Sequence, residues 1–110
     1  MNLSEMTKDE LSLLLFLETQ AVEYGGLVDV RHMNEDDCNI ASDWNECGFI
    51  IYERISFYSI EAVSTPTRRP THYVILSQEA FRLAHEERIA RAARVFQKRR
   101  WKKAGEDDGE

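Results

Sequence analysis

The strongest constraint on the fold is the order of the segments, because two strand-like stretches follow two helices instead of alternating with them. Residues 49–55 and 72–76 are rich in the β-branched and aromatic side chains that favour strands. A loop over residues 64–70 contains two prolines, and residues 57–63 read as a continuation of the sheet. This order of helix, short element, helix, strand, loop, strand and helix predicts an α+β domain.

Capping signals delimit the first two helices. A capping box of Thr7 and Glu10 begins the first helix, and a glycine pair after Tyr24 ends it. Asn34 is a favourable N-cap for the second helix, which ends at Gly48. The segment between the two helices has room only for a short extended stretch or for one helical turn.

The final helix is long, and an apolar stripe runs along it. Ser77 caps this helix, which extends to about residue 102. The stripe consists of Phe81, Ala84 or His85, Ile89, Ala92 and Phe96. Core contact with the first helix and a seam with a second copy explain the stripe from Phe81 to Ile89 equally well, whereas Phe96 and Trp101 are harder to bury within one subunit. Ile89, Phe96 and Trp101 are therefore a candidate seam with a second copy, and the sequence leaves open whether the chain is a monomer or a homodimer.

The charges divide the chain into an acidic and a basic part. Residues 1–53 carry twelve acidic and two basic residues, whereas residues 54–103 carry twelve basic and four acidic residues. Residues 104–110 add four acids and nothing to bury, which predicts a disordered acidic tail after a single domain over residues 1–103. The asymmetry favours a macromolecular partner, although packing of the basic segment beside the acidic half would neutralise both.

Two junctions resemble those of a known fold. They are Trp44-Asn45-Glu46-Cys47-Gly48-Phe49-Ile50, and Leu76-Ser77 followed by residues 80–88. Both resemble winged-helix domains, in which a glycine ends the recognition helix and an apolar pair begins the wing. The resemblance implies a winged-helix-like fold with three or four helices, a small antiparallel wing and a long C-terminal helix. Residues 6–18, 44–46 and 84–88 also resemble small proteins of bacteriophages and prophages.

The second helix occupies the place of a recognition helix but is unsuited to reading DNA. Binding to DNA depends on Lys and Arg that neutralise phosphates, and neither occurs between Asn34 and Glu53. Its acids are Glu35, Asp36, Asp37, Asp43 and Glu46. They form either a solvated face or a surface that binds a basic region of a partner protein. In the second case the chain resembles nucleic-acid-mimicking inhibitors, including some anti-CRISPR proteins. The leading prediction is a non-enzymatic phage-type interaction protein.

Basic residues of the wing and the final helix are a second candidate surface. Arg68 and Arg69 lie between two prolines at a predicted loop tip. Arg91, Arg94, Lys98 and Arg99 lie on the final helix, and the first three share one face. Contacts of these residues with phosphates give the alternative prediction, a winged-helix DNA-binding regulator. Neutralisation by neighbouring acids is the competing explanation, and a role in viral assembly is a third possibility.

Catalytic and metal-binding groupings are not expected. The segment His85-Glu86-Glu87-Arg88 lacks the second histidine of a zinc-binding HExxH motif, and no glycine-rich loop follows a strand. Cys38 and Cys47 lie on roughly opposite faces of one helix, which predicts reduced thiols, at least one of them in the core. No apolar run approaches the roughly 20 residues that span a bilayer. We therefore expect a cytoplasmic protein without cofactor, metal or membrane contact.

Overall fold

A computed structural model describes the backbone of residues 1–108 and the side chains of residues 1–100. The elements are α1 Lys8–Glu23, β1 Leu27–Val28, α2 Glu35–Glu46, β2 Ile50–Arg54, α3 Phe57–Val63, β3 His72–Leu76 and α4 Gln78–Asp108. Two short 3₁₀ turns, Leu3–Glu5 and Val30–His32, precede α1 and α2. The predicted α+β class and the long C-terminal helix are therefore confirmed.

The strands form one antiparallel sheet in the order β1-β3-β2. All of β2 pairs with β3, from Ile50 opposite Leu76 to Arg54 opposite His72. The two residues of β1 pair with the other edge of β3. The order of helices and strands, with the first strand paired to the last, is compatible with a winged-helix-like topology.

Gly26 allows the chain to pass from α1 directly into the sheet. Its φ of 86° lies in the left-handed region, and its carbonyl accepts a hydrogen bond from the Val74 N–H at 2.8 Å. A Cβ atom at residue 26 would lie 2.7 Å from the Val74 carbonyl oxygen. Any larger residue at this position would therefore push β1 and β3 apart.

The core lies between one face of the sheet and the helices α1, α2 and α4. Its largest apolar side chains that are almost fully buried are Leu14, Leu17, Val28, Ile50 and Leu83. Trp44 of α2 packs edge-on against Phe49, with the ring centroids 5.2 Å apart. This packing presents one side of α2 to the core and the other side to solvent.

The connection between β2 and β3 differs from the prediction. Residues 57–63 do not continue the sheet but form α3, and the Ser56 side chain caps this helix by accepting a hydrogen bond from the Ser59 N–H at 3.2 Å. The wing is therefore not a simple hairpin, since α3 and the following loop join its two strands. The predicted short element before α2 is present both as β1 and as the 3₁₀ turn Val30–His32.

The face of α4 that enters the core also differs from the prediction. Ala80, Leu83 and Ala84 are buried, whereas Phe81 and Ile89 of the predicted core stripe are exposed. The alanines carry little bulk, so they allow α4 to lie close to the body. Core contact, one of the two explanations for the stripe from Phe81 to Ile89, therefore accounts for Ala84 but not for Phe81 or Ile89.

The C-terminal end of α4 extends past residue 103, the predicted end of the domain. Its backbone is helical through Asp108. The side chains beyond Arg100 and the backbone of residues 109–110 lie outside the described residues. Disorder of the acidic segment 104–110 stays a prediction.

Candidate functional site

The solvent side of α2 carries a row of carboxylates. We define the acidic face by four exposed residues, Glu35, Asp36, Asp43 and Glu46. Asn39 and Ser42 lie between them and are exposed as well. The opposite side of the helix buries Ala41 and Trp44. Because a helix turns about 100° per residue, the four acids fall within roughly one third of its circumference.

The charge of the acidic face is not covered by the rest of the described chain. Among side chains 1–100, no Lys or Arg nitrogen lies within 4.0 Å of these four carboxylates. Some acids elsewhere are paired: Glu18 of α1 contacts Arg88, and Glu87 of α4 contacts Arg91 and Arg94. Packing of the acidic face against the basic final helix, the competing explanation, is therefore absent from the described side chains.

Asp37, the fifth acid predicted for this surface, has a different position and a structural role. Its carboxylate accepts a hydrogen bond from the Asn34 N–H at 3.2 Å, and its own N–H donates to Asn34 Oδ1 at 2.7 Å. This reciprocal capping box fixes the beginning of α2. Asp37 is half-buried and lies away from the acidic face.

Asn45 fixes the other end of α2 to the sheet. Its Oδ1 accepts a hydrogen bond from the Tyr52 N–H at 2.9 Å, on the edge strand β2. The ring of Tyr52 stacks on His72, with centroids 4.9 Å apart. Burial, with a further contribution from the Cys38 thiol, raises the pKa of Tyr52 to about 12. The sequence carries no local signal for this role of Asn45, because the role depends on the edge of β2, which only the tertiary structure defines.

His72 is half-buried in the same region, beside β2. Burial, and secondarily the charge of Arg54, hold the pKa of the His72 imidazole below its ordinary value. Thr71 Oγ1 lies 2.9 Å from His72 Nδ1. The neutral imidazole is therefore the form that stacks on Tyr52, and this contact supports the sheet beneath α2.

Arg68 belongs to the fold rather than to an exposed loop tip. Its guanidinium donates hydrogen bonds to Gln20 Oε1 and to the Leu27 carbonyl, each at 2.5 Å. It also lies 3.7 Å from the centroid of the Tyr24 ring. The side chain of Arg69 is exposed, and its guanidinium lies 3.5 Å from the Glu61 carboxylate. The structure therefore separates the two arginines that the sequence analysis treated as one surface.

The basic residues of α4 border an open groove between α1 and α4 with a volume of about 680 Å³. Lys8, Arg91, Arg94 and Lys98 line it, and Arg99 is exposed elsewhere on α4. Glu87 also lines the groove and is only 4% exposed. Its Oε2 accepts hydrogen bonds from Arg91 at 2.8 Å and from Arg94 at 3.3 Å. One buried carboxylate thus offsets part of the groove's positive charge.

The candidate dimer seam is described only in part. Ile89 and Phe96 are exposed on α4, where a second copy would have access to them. The side chain of Trp101 lies outside the described residues. The structure therefore brings together two of the three predicted seam residues on one helix.

Searches for a metal site and a membrane span give no candidate within the described residues. In the part of the chain that the structure describes, no three His, Cys, Asp or Glu side chains are arranged to hold a metal ion, and no helix there is long and apolar enough to cross a bilayer. Cys38 is half-buried and Cys47 is exposed, so neither thiol is a fully buried core residue. Comparison of the chain with protein-family models, curated proteins and solved structures finds no match.

Proposed function

We propose that the chain is a non-enzymatic interaction protein whose acidic face binds a basic surface of a partner protein. The observation that carries the proposal is the uncovered charge of Glu35, Asp36, Asp43 and Glu46 on one side of α2. Complementary charges steer two proteins together and fix their orientation. A neutral or acidic partner would gain nothing from this face, so its partner is basic.

The negative charge of the acidic face supports a partner that itself binds nucleic acid. From Glu35 to Glu46 the helix rises about 16 Å, so its four carboxylates are on average about 5.5 Å apart along the axis, with a gap of about 10 Å between Asp36 and Asp43. One strand of B-DNA carries a charge per about 3.4 Å. The acidic face thus has a lower charge density than one strand, and it matches the sign of the phosphate charge rather than its spacing. We propose that it occludes a nucleic-acid-binding surface, as an inhibitor of anti-CRISPR type would.

The resemblance to small bacteriophage proteins supports the same setting. A phage-encoded protein of this kind acts in the cytoplasm of the host cell, where nucleic-acid-handling complexes are its natural targets. The mechanism is occlusion by charge complementarity and needs no catalysis or cofactor. Binding should therefore weaken as ionic strength rises, because salt screens exposed charges beyond about 8–10 Å.

The test variant is chosen so that α2 itself is not damaged. Glu35 and Asp36 lie in the first turn of α2 and favour the helix through its dipole, so a lysine there would weaken the fold. Asp43 and Glu46 lie in its last turns, where lysine is favourable. The variant is Asp43→Lys with Glu46→Lys. The control is Glu5→Lys with Glu23→Lys, which makes the same charge change at two other exposed acids.

The measurement is capture of partners from a bacterial lysate by immobilised protein, quantified by mass spectrometry at low and moderate salt. We expect a partner that the wild type and the control retain, that the Asp43→Lys/Glu46→Lys variant loses, and that elutes with salt. The purified partner should bind an oligonucleotide, and the wild-type chain should displace that oligonucleotide. If the Asp43→Lys/Glu46→Lys variant still captures the partner, binding through the acidic face is contradicted. If the partner does not bind nucleic acid, occlusion of a nucleic-acid-binding surface is contradicted.

A second candidate function is a DNA-binding regulator, and the groove between α1 and α4 favours it. Lys8 and Lys98 border this groove and, unlike Arg91 and Arg94, are in no described ion pair. Under this alternative, duplex DNA is retarded in a gel at low salt, and Lys8→Ala with Lys98→Ala reduces the retardation. Arg82→Ala, on another side of α4, is the control. Absence of any retardation at low salt removes this alternative.

A further inference from the structure

The helix α4 presents two different faces along the part whose side chains are described. Its inner face packs on the body through Ala80, Leu83, Ala84 and Glu87, all of them buried. The outer stripe consists of Phe81, His85, Ile89, Ala92 and Phe96, all of them exposed. At about 100° per residue, the two sets are centred on nearly opposite sides of the helix.

The outer stripe has the composition of a buried surface. Phe81 is 39% exposed, Ile89 56% and Phe96 66%. The outer side of a helix that packs on a core is ordinarily polar. The spacing of four, four, three and four residues matches the seam at which two helices pair. The stripe is therefore a surface that a second helix can cover.

The charges of α4 indicate which helix covers the stripe and in which direction. Residues 78–87 carry three acids and one arginine, whereas residues 88–100 carry six bases and no acid. Arg88 contacts Glu18 of α1, and Arg91, Arg94 and Lys98 line the groove with α1. The bases that lie beside the outer stripe are therefore Arg99 and Arg100, and a parallel pair would place them next to the same two bases of the other copy. In an antiparallel pair, Arg99 and Arg100 face the end of the other copy that carries the exposed Glu79 and Glu86. The helix is thus complementary to itself only in the antiparallel direction.

We infer that the chain forms a homodimer in which the outer stripes of two α4 helices pack in antiparallel orientation. The two-fold axis passes near residue 90, so that His85 of one copy lies opposite Phe96 of the other. The acidic face of α2 plays no part in this contact, and the inference does not rest on the proposed function.

The association state tests the inference. The wild-type chain should sediment as a dimer at about 100 µM, and Ile89→Glu or Phe96→Glu should weaken the dimer by at least about tenfold. Both positions are solvent-exposed on a helix that Glu favours, so the variants should fold. The control is Val22→Glu, which adds the same charge at an exposed apolar residue of α1. A monomeric wild type, or variants as dimeric as the control, overturns the inference.

Disulfide trapping tests the orientation. In a background of Cys38→Ala with Cys47→Ser, His85→Cys and Phe96→Cys are made as separate chains and then mixed. The antiparallel pair predicts trapping in the mixture, because like positions lie about 16 Å apart along the helices, beyond the roughly 7 Å that a disulfide bridges. Far-ultraviolet circular dichroism checks that each variant retains its fold. Equal trapping of each variant with itself overturns the antiparallel arrangement.

Discussion

Asp29 is a buried carboxylate that connects the segment before α2 to the loop before β3. It is 1% exposed, and it accepts hydrogen bonds from the Arg31 guanidinium and from the backbone N–H groups of Arg31 and Arg69. Mainly through the Arg31 side chain, these donors hold the pKa of Asp29 well below its ordinary value. Ionised Asp29 therefore holds the segment before α2 and the loop before β3 together through these hydrogen bonds.

This arrangement predicts a pH-dependent loss of stability in Asp29→Asn. Because the pKa is lower in the folded than in the unfolded chain, the stabilisation is fully present above the unfolded value of about 3.9 and is lost progressively as the pH falls from there through the folded pKa, so that part of it is gone near pH 3. At pH 7 the free energy of unfolding of the variant should be about 2 kcal/mol lower than that of the wild type. Urea denaturation at pH 7 and near pH 3 measures the difference. A difference of the same size at both pH values would show that the charge of Asp29 contributes nothing.

The helices and strands divide into those with a local signal and those decided by tertiary structure. The capping box at Thr7 and the cap at Asn34 form as predicted, because capping uses side chains only three residues apart. Residues 57–63 carry aromatic and β-branched residues that suit a strand equally well, and the Ser56 cap turns them into α3. The buried face of α4 could not be predicted, because alanines and a buried Glu87 occupy it while larger apolar residues face solvent.

The candidate site was predictable in composition but not in contacts. The absence of Lys and Arg from residues 34–53 already indicates an acidic surface. The same acids differ in role, however, since Asp37 completes a cap whereas Asp43 faces solvent. Arg68 was predicted to lie exposed at a loop tip, but it bonds to Gln20 and Leu27, which are more than 40 residues away in the sequence. Long-range contacts of this kind carry no local signal.

The whole molecule keeps its acidic and basic parts largely separate. Among the described side chains, Glu18 with Arg88 is the one carboxylate–guanidinium pair that joins residues 1–53 to residues 54–100. The Arg88 guanidinium also donates to the Leu15 carbonyl at 3.1 Å and to Thr19 Oγ1 at 2.9 Å. A single side chain thus makes three contacts from α4 to α1, and the acids of α2 remain available to a partner.

Removal of Arg88 should therefore cost more stability than removal of another arginine on the same helix. Arg88→Ala leaves the half-buried Glu18 without its partner and should lower the free energy of unfolding by about 1–2 kcal/mol. Arg82→Ala breaks only a pair with Glu86 one turn away on α4, and exposed pairs of this kind contribute about 0.3–0.5 kcal/mol. Urea denaturation of both variants in low and high salt compares them. High salt should reduce the loss of unfolding free energy in Arg88→Ala only in part, because two of the three contacts that Arg88 makes are hydrogen bonds to uncharged oxygens. Equal losses in the two variants would mean that α4 is held to α1 by apolar packing alone.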